Sequence, residues 1–230
     1  MAQPYVFMQD QVGPPGRYVT LIGVFPGTPV IRILRVDGTA PAEASASTVT
    51  ATTSSADAVQ FQVPTSLSLG LYAVWVKDGA TASAVKYLNQ ARPFYTEFSE
   101  CITGSTVMRV FGQNLKLSGA TPTVRFENGG NSFNAVVDTA NSTENELRFT
   151  APSGLTTSTA YTVYVSNGYG GTYGEVALLS GQTVTARTAG NGDPYGFSVP
   201  WAGDFTYSSV TNVAAGGNIQ TAIDTRNGAG

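Results

Sequence analysis

Histidine is absent from the 230 residues, and cysteine occurs only once, as Cys101. The lack of histidine removes the most common general base and the most common metal ligand. A single cysteine can form neither an internal disulfide nor a cysteine-based zinc site, and no glycine-rich loop precedes a helix that could hold a phosphate. We therefore expect no metal, no cofactor and no Cys–His nucleophile. Cys101 itself is expected to be a buried or half-buried thiol.

Charge is scarce as well, because only 12% of the residues are charged and the formal net charge is −3. Without a basic surface to neutralise phosphates, nucleic acid is not an expected partner. No run approaches 18 apolar residues, so we expect no membrane insertion. Residues 1–5 have neither the basic nor the apolar region of a secretory signal. These first residues are compatible with a signal that has been removed, and also with a virion protein that needs no signal.

The residues that are abundant are typical of strands and turns, and their order repeats once. TPVIRI at residues 28–33 returns as TPTVRF at 121–126, about 90 residues later. FQVP at 61–64 returns as FTAP at 149–152, and YAVWV at 72–76 returns as YTVYV at 161–165. Alternation of apolar and polar residues, bounded by Gly, Pro and Asn, predicts several short antiparallel strands in each copy. The expected fold is all-β, with two tandem immunoglobulin-like sandwiches.

Two composition changes divide the chain into three predicted parts. Arg92-Pro93 is expected to interrupt strand pairing, which places the first sandwich at residues 1–92 and the second at 93–188. A Gly-, Asn- and Pro-containing stretch from residue 188 to 194 is suited to a linker. Residues 189–230 are then a linker followed by the start of a different structure with one short helix.

Three motifs of the second copy resemble the IPT/TIG family of immunoglobulin-like domains. VFGQNL at residues 110–115 resembles the family's G-x-N-L motif, LRFTAP at 147–152 its proline-ended strand, and YTVYVSN at 161–167 its closing strand. The first copy departs from this pattern, because Gly23 is followed by Val24-Phe25-Pro26 and lacks the Asn-Leu pair. Its assignment depends on its similarity to the second copy.

Aromatic side chains are the candidate carbohydrate-binding residues. If Tyr72, Val74 and Val76 face the core, strand alternation turns Trp75 outward, and the same rule turns Tyr164 outward in the second copy. An outward aromatic ring can stack on a sugar or pack against a neighbouring domain, and the sequence leaves both roles open. The same alternatives apply to two tyrosines in a Gly-Gly loop and to one tryptophan in the tail, namely Tyr169, Tyr173 and Trp201.

The sequence does not indicate that any two acidic residues lie close enough to form a catalytic pair. A glycosidase needs two carboxyl groups in one cleft, one of them with a raised pKa. The acids of the second copy fall in turns or at strand ends, and nothing in the sequence brings two together: Glu127, Asp138, Glu144, Glu146 and Glu175. We therefore name no catalytic residue and expect that these 230 residues are not an enzyme.

The tail resembles the entry to a right-handed parallel β-helix of the pectate-lyase-like type. In NIQTAID at residues 218–224, Asn218 can cap a short helix whose Ile219, Ala222 and Ile223 share one face. In that family the catalytic acids lie on later coils. The resemblance therefore implies a β-helix domain beyond Gly230, which is also a candidate partner of the sandwiches.

Two functions remain after these exclusions. The first is a non-catalytic N-terminal region of an extracellular or cell-surface carbohydrate-active β-helix protein, either a polysaccharide lyase or a glycoside hydrolase. Its sandwiches would act as spacer, stabiliser or glycan-contacting modules, with polysaccharide as a partner. The alternative is a structural or adhesive module of a phage tailspike or surface fibre, located on the virion. The β-helix resemblance is common to both.

Overall fold

The computed structural model describes residues 3–187, 213 and 216–221, and these are almost entirely β-structure. The first copy contains the strands β1 (Tyr5–Gln9), β2 (Tyr18–Val24), β3 (Val30–Arg35), β4 (Ser47–Val49), β5 (Ala51–Ser54), β6 (Ala58–Gln62), β7 (Tyr72–Asp78), β8 (Thr81–Ala82) and β9 (Lys86–Leu88), with a 3-10 helix at Glu43–Ser45.

The second copy contains the strands β10 (Arg92–Thr96), β11 (Glu100–Ile102), β12 (Val107–Gln113), β13 (Thr123–Asn128), β14 (Asn131–Asn134), β15 (Val136–Asp138), β16 (Glu146–Thr150), β17 (Ala160–Ser166), β18 (Val176–Ala177) and β19 (Thr183–Arg187), with a 3-10 helix at Gly171–Gly174. The predicted all-β class with immunoglobulin-like sandwiches is confirmed.

The first sandwich encloses its core between two sheets. One sheet has the order β1-β2-β6-β5, and the other has the order β4-β3-β7-β8, with β9 also paired to β7. The predicted inward residues Tyr72, Val74 and Val76 are fully buried in this core, together with Leu21 and Phe61 of the facing sheet. Burial of each such side chain stabilises the folded state by about 1.5–3 kcal/mol.

The second sandwich repeats this arrangement with the sheets β10-β12-β16-β15 and β11-β19-β17-β13-β14, and β18 pairs with β17. Its core is centred on aromatic rings. Phe126 lies 6.0 Å from Phe149 and 6.3 Å from Tyr161 between ring centroids. These edge-on and tilted contacts stabilise the core beyond the area they bury.

Both copies open on an edge strand with a bulge at the same place. The register of β1 against β2 shifts between Val6 and Met8. The register of β10 against β12 shifts between Pro93 and Tyr95. The expectation that Arg92-Pro93 interrupts pairing is therefore wrong. Proline is tolerated here because β10 is the outermost strand of its sheet, where a missing N–H donor is not needed.

A glycine opposite each bulge explains why the repeat retains that residue. A Cβ atom on Gly23 would lie 2.0 Å from the carbonyl oxygen of Tyr5. A Cβ atom on Gly112 would lie 2.2 Å from the carbonyl oxygen of Arg92. No side chain fits at either distance, so the edge strand can pair there only against glycine.

Cys101 lies on β11 and is fully buried in the core of the second sandwich, as expected. Burial, and then the neighbouring Glu100 carboxylate, raise the pKa of the thiol to about 11. Because the thiolate is the reactive form, we predict that the native protein reacts with Ellman's reagent at pH 8 at least about a hundredfold more slowly than the protein in urea. Equal rates would contradict both the burial and the raised pKa.

The described tail residues have one helical turn, at residues 219–221. The Oδ1 atom of Asn218 accepts a hydrogen bond from the backbone N–H of Thr221 at 3.2 Å, which is the predicted N-cap. Ala222, Ile223 and Trp201 lie outside the described residues. Among the residues that are described, no helix is long and apolar enough to cross a membrane.

Candidate functional site

The outward face of β7 is covered partly by residues of its own sandwich, such as Val36 and Ala46, and partly by a loop of the second sandwich. Leu71, Ala73 and Trp75 point away from the core, yet all three are buried, and Trp75 is only 6% exposed. Tyr169 and Tyr173 pack against this cluster. We call this contact the junction; it is formed by the outer face of β7 and residues 168–174.

Close backbone contact at the junction depends on glycine. Gly170 has φ +80°, and a Cβ atom there would lie 2.2 Å from Cδ2 of Leu71. A Cβ atom on Gly171 would lie 2.8 Å from the Cα of Gly38. The Gly-Gly pair therefore lets the loop lie flat on the first sandwich. The Tyr169 side chain is held in place because its hydroxyl donates to the carbonyl of Ser118 at 2.6 Å.

The candidate aromatics therefore separate into different environments. Trp75 is buried, and Tyr169 and Tyr173 pack against its cluster, so these three residues fit packing, one of the two roles that the sequence left open. Tyr164 is half-buried on the outer face of β17, and the guanidinium carbon of Arg125 lies 4.5 Å from its ring centroid. Trp201 lies outside the described residues.

The candidate acids that lie close together form ion pairs with an arginine. Glu127 and Glu175 both pair with Arg125, and the Arg125–Glu175 distance is 2.8 Å. Arg109 likewise pairs with Glu97 at 2.6 Å, and its hydrogen bonds to the carboxylate lower the pKa of Glu97.

Asp138 is also kept ionised, because hydrogen bonds from Asn141 lower its pKa. A general acid needs the opposite shift. Among the described residues no group of three or more Cys, Asp or Glu side chains could hold a metal ion.

Three buried asparagines join the sandwiches, and the sequence analysis did not single them out. The Nδ2 atom of Asn167 donates to the carbonyls of Asn89 at 2.7 Å and Asn114 at 3.0 Å. The Nδ2 atom of Asn114 donates to the carbonyls of Gln11 at 3.1 Å and Gln90 at 3.3 Å. Asn114 and Asn167 belong to two of the family-like motifs, and their place in those motifs was the signal that could have identified them.

Asn89 completes this network from the segment between β9 and β10. Its amide donates to the carbonyls of Gly13 at 3.2 Å and Gly70 at 2.9 Å, and its Oδ1 accepts from the N–H of Gly13 at 2.8 Å. Asn89 and Asn114 have φ of 60° and 54°, in the left-handed region that asparagine adopts more readily than most residues. The connecting segment is thus tied to both sandwiches.

Beside the junction lies a cleft of about 390 Å³, within the range of small-ligand sites. Both sandwiches contribute to it. Its apolar part includes Phe7, Met8 and Leu179, which are more than half exposed. The full lining consists of Phe7, Met8, Gln9, Gln11, Val85, Lys86, Tyr87, Gln90, Ala91, Arg92, Val176 and Leu179.

No family model and no curated protein sequence matches the chain. Among solved structures, SGBP-B from a complex xyloglucan utilization locus of Bacteroides uniformis is 15% identical, with a TM-score of 0.32 over 77% of this chain and 48% of that one. SGBP-B from a mixed-linkage glucan utilization locus of Bacteroides ovatus, in complex with a mixed-linkage heptasaccharide, is 19% identical, with a TM-score of 0.28 over 84% and 52%.

The extracellular region of plexin A4 is 9% identical, with a TM-score of 0.34 over 81% of this chain and 25% of that one. The chain thus spans about half the length of the two SGBP-B structures. At TM-scores this low, the fold assignment rests on the strands and cores of the chain itself.

Proposed function

We propose that the chain is a non-catalytic double-sandwich module that acts as a rigid spacer and contacts polysaccharide in an extracellular or cell-surface carbohydrate-active protein. The junction carries this proposal. It packs Tyr169 and Tyr173 against the cluster of Leu71, Ala73 and Trp75, and Asn167 ties the second sandwich to the connecting segment at 2.7 Å. Two sandwiches joined in this way resist relative rotation, as a spacer must.

The state of the acids supports a non-catalytic role. Glu127 and Glu175 share one guanidinium, and the pKa of Glu97 is lowered by its hydrogen bonds to Arg109. The carboxyl groups with a lowered pKa, those of Glu97 and Asp138, stay ionised at neutral pH, whereas glycoside hydrolysis requires one carboxyl to be protonated.

The cleft supports contact with a glycan. It combines exposed apolar side chains with the amides of Gln9, Gln11 and Gln90. Sugars bind to such surfaces because their C–H faces pack on apolar side chains while their hydroxyls hydrogen-bond to amides.

The finer parts of the proposal rest on the motifs. We assign residues 1–92 and 93–188 to two sandwich domains of IPT/TIG type, since Gly112, Asn114 and Asn167 of the family-like motifs each have a structural task here. We assign residues 189–230 to the entry of a β-helix domain, and the Asn218 cap supports this assignment.

Affinity electrophoresis of the intact chain, in gels that contain neutral or acidic polysaccharides, tests this function. We expect retardation by at least one polysaccharide, and no release of reducing ends or unsaturated products from any of them. Bovine serum albumin in the same gels is the control for non-specific retardation. Product formation above the level of a heat-denatured sample would disprove the non-catalytic role, and an unretarded chain in every gel would disprove glycan contact.

A further inference from the structure

Two basic side chains in the cleft have no acidic partner in the part of the chain that the structure describes. Lys86 and Arg92 are both half-buried, and within residues 3–187 neither takes part in a salt bridge. The described residues that line the cleft include no Asp or Glu. Seven other basic residues do pair with acids: Arg32, Arg35, Lys77, Arg109, Arg125, Arg148 and Arg187. In a protein of net charge −3, the cleft is thus a local concentration of uncompensated positive charge.

The side-chain amides of the cleft glutamines are held in place by hydrogen bonds from their nitrogen atoms, and free acceptor oxygens remain among them. The Nε2 atom of Gln9 donates to the carbonyl of Tyr87 at 2.6 Å, and that of Gln11 donates to the carbonyl of Gln9 at 3.0 Å. The Nε2 atom of Gln90 donates to the carbonyl of Tyr173 at 2.9 Å. Within the described residues none of the three amide oxygens accepts a hydrogen bond, but that of Gln9 is buried. The amide oxygens of Gln11 and Gln90 therefore remain available to donors such as hydroxyls.

The bulge of β1 supplies the apolar rim of the cleft. Val6 faces the core, whereas the two residues that follow it, Phe7 and Met8, are both exposed, at 56% and 59%. The ring of Phe7 lies 6.4 Å from that of Tyr5, also exposed, so the rim continues as an aromatic strip along the strand. Exposed aromatic side chains on a fixed strand offer a face for the C–H side of a sugar ring.

We propose that this cleft binds an acidic oligosaccharide whose uronate carboxylates contact Lys86 and Arg92. The ring of Phe7 packs on a sugar face, and the amide oxygens of Gln11 and Gln90 accept sugar hydroxyls. This inference rests on the proposed contact with polysaccharide and adds the chemical class and the place. The positive charge favours an acidic over a neutral glycan, and the free amide oxygens of Gln11 and Gln90 favour a hydroxyl-rich ligand over an acidic peptide.

Isothermal titration of the intact chain with oligogalacturonate, a neutral β-glucan oligosaccharide and poly-glutamate tests the inference. We expect oligogalacturonate to bind, with an affinity that falls as salt rises. The double variant Lys86→Gln/Arg92→Gln should bind it at least about tenfold more weakly. Phe7→Ala should also weaken binding by about tenfold. Arg17→Gln is the matched control, because Arg17 is an exposed cation outside the cleft and without an acidic partner among the described residues; it should bind like the parent.

Unchanged binding by the double variant, with an unfolding midpoint equal to that of the parent, would overturn the inference and leave glycan contact intact. Binding of the neutral oligosaccharide without binding of oligogalacturonate would likewise overturn the inference and leave glycan contact intact. Poly-glutamate that binds as well as oligogalacturonate would assign the cleft to acidic peptides and overturn the sugar assignment. If no oligosaccharide or polysaccharide binds at all, the proposed function fails together with the inference.

Discussion

Replacing Trp75 with alanine is expected to lower the free energy of unfolding by about 3–5 kcal/mol, the usual cost of removing a large buried aromatic side chain. Trp75 is 6% exposed although it points away from the core of its own sandwich. It packs in a cluster with Ala46 and Ala73 of its own sandwich, and Tyr169 and Tyr173 of the second sandwich pack against the same cluster. Urea unfolding followed by circular dichroism measures the change.

The same substitution should loosen the two sandwiches relative to each other. Spin labels at Ser54→Cys and Asn131→Cys, exposed positions on different sandwiches, report their separation by pulsed dipolar spectroscopy. Cys101→Ser removes the native thiol from this background. We expect one narrow distance distribution in the parent and a broader one with Trp75→Ala. A broad distribution in the parent would contradict the rigid spacer.

Tyr164→Ala is the matched control, because Tyr164 occupies the position of Trp75 in the second copy. It is half-buried and contacts Arg125 rather than another sandwich. We expect a loss of about 1 kcal/mol from the cation–π and packing contacts, with no change in the distance distribution. Equal effects of the two substitutions would show that the junction adds nothing to the burial of Trp75.

Strand alternation predicted much of the fold because the signal is local. The motifs at residues 147–152 and 161–167 were expected to contain strands, and β16 (Glu146–Thr150) and β17 (Ala160–Ser166) lie there. The inward set of β7 was also correct, since Tyr72, Val74 and Val76 are in the core. A period of two identifies such residues without knowledge of their partners.

Strands without that period were missed. In β1 the bulge places both Phe7 and Met8 outside, so the apolar run shows no alternation. In the Ser- and Thr-rich segment, β4 (Ser47–Val49) and β5 (Ala51–Ser54) are edge strands with little buried surface. Their pairing depends on neighbouring strands far along the chain, which a local pattern does not reveal.

The candidate site was predictable only in part, for the same reason. Alternation correctly turned Trp75 outward, but Tyr169 and Tyr173, which pack against its cluster, come from the other copy, and no spacing rule connects the two. The cleft was not predicted, because Phe7 is far along the chain from Lys86 and Arg92 and none of the three belongs to a motif. Only the folded structure brings them together.

Replacing Asn167 with alanine is expected to lower the free energy of unfolding by about 2–5 kcal/mol, because each buried polar group left without a partner costs about 1–3 kcal/mol. Asn167 is 1% exposed. Its amide serves the carbonyls of Asn89 and Asn114, and its Oδ1 accepts from the N–H of Tyr169 at 3.2 Å. With alanine at position 167, the carbonyls of Asn89 and Asn114 and the N–H of Tyr169 lose this hydrogen-bond partner while they remain buried.

Asn128→Ala separates this effect from the loss of any asparagine hydrogen bond. The amide of Asn128 donates to the carbonyl of Ala160 at 2.8 Å, but the residue is exposed and water can replace it. We expect a change within about 0.5 kcal/mol for this control. Asn167→Asp keeps the shape and replaces the donor with an oxygen that faces the carbonyls of Asn89 and Asn114, so it should destabilise at least as much as alanine. If Asn167→Asp unfolds like the parent at neutral pH, the two donated hydrogen bonds do not hold the junction, because a carboxylate cannot form them.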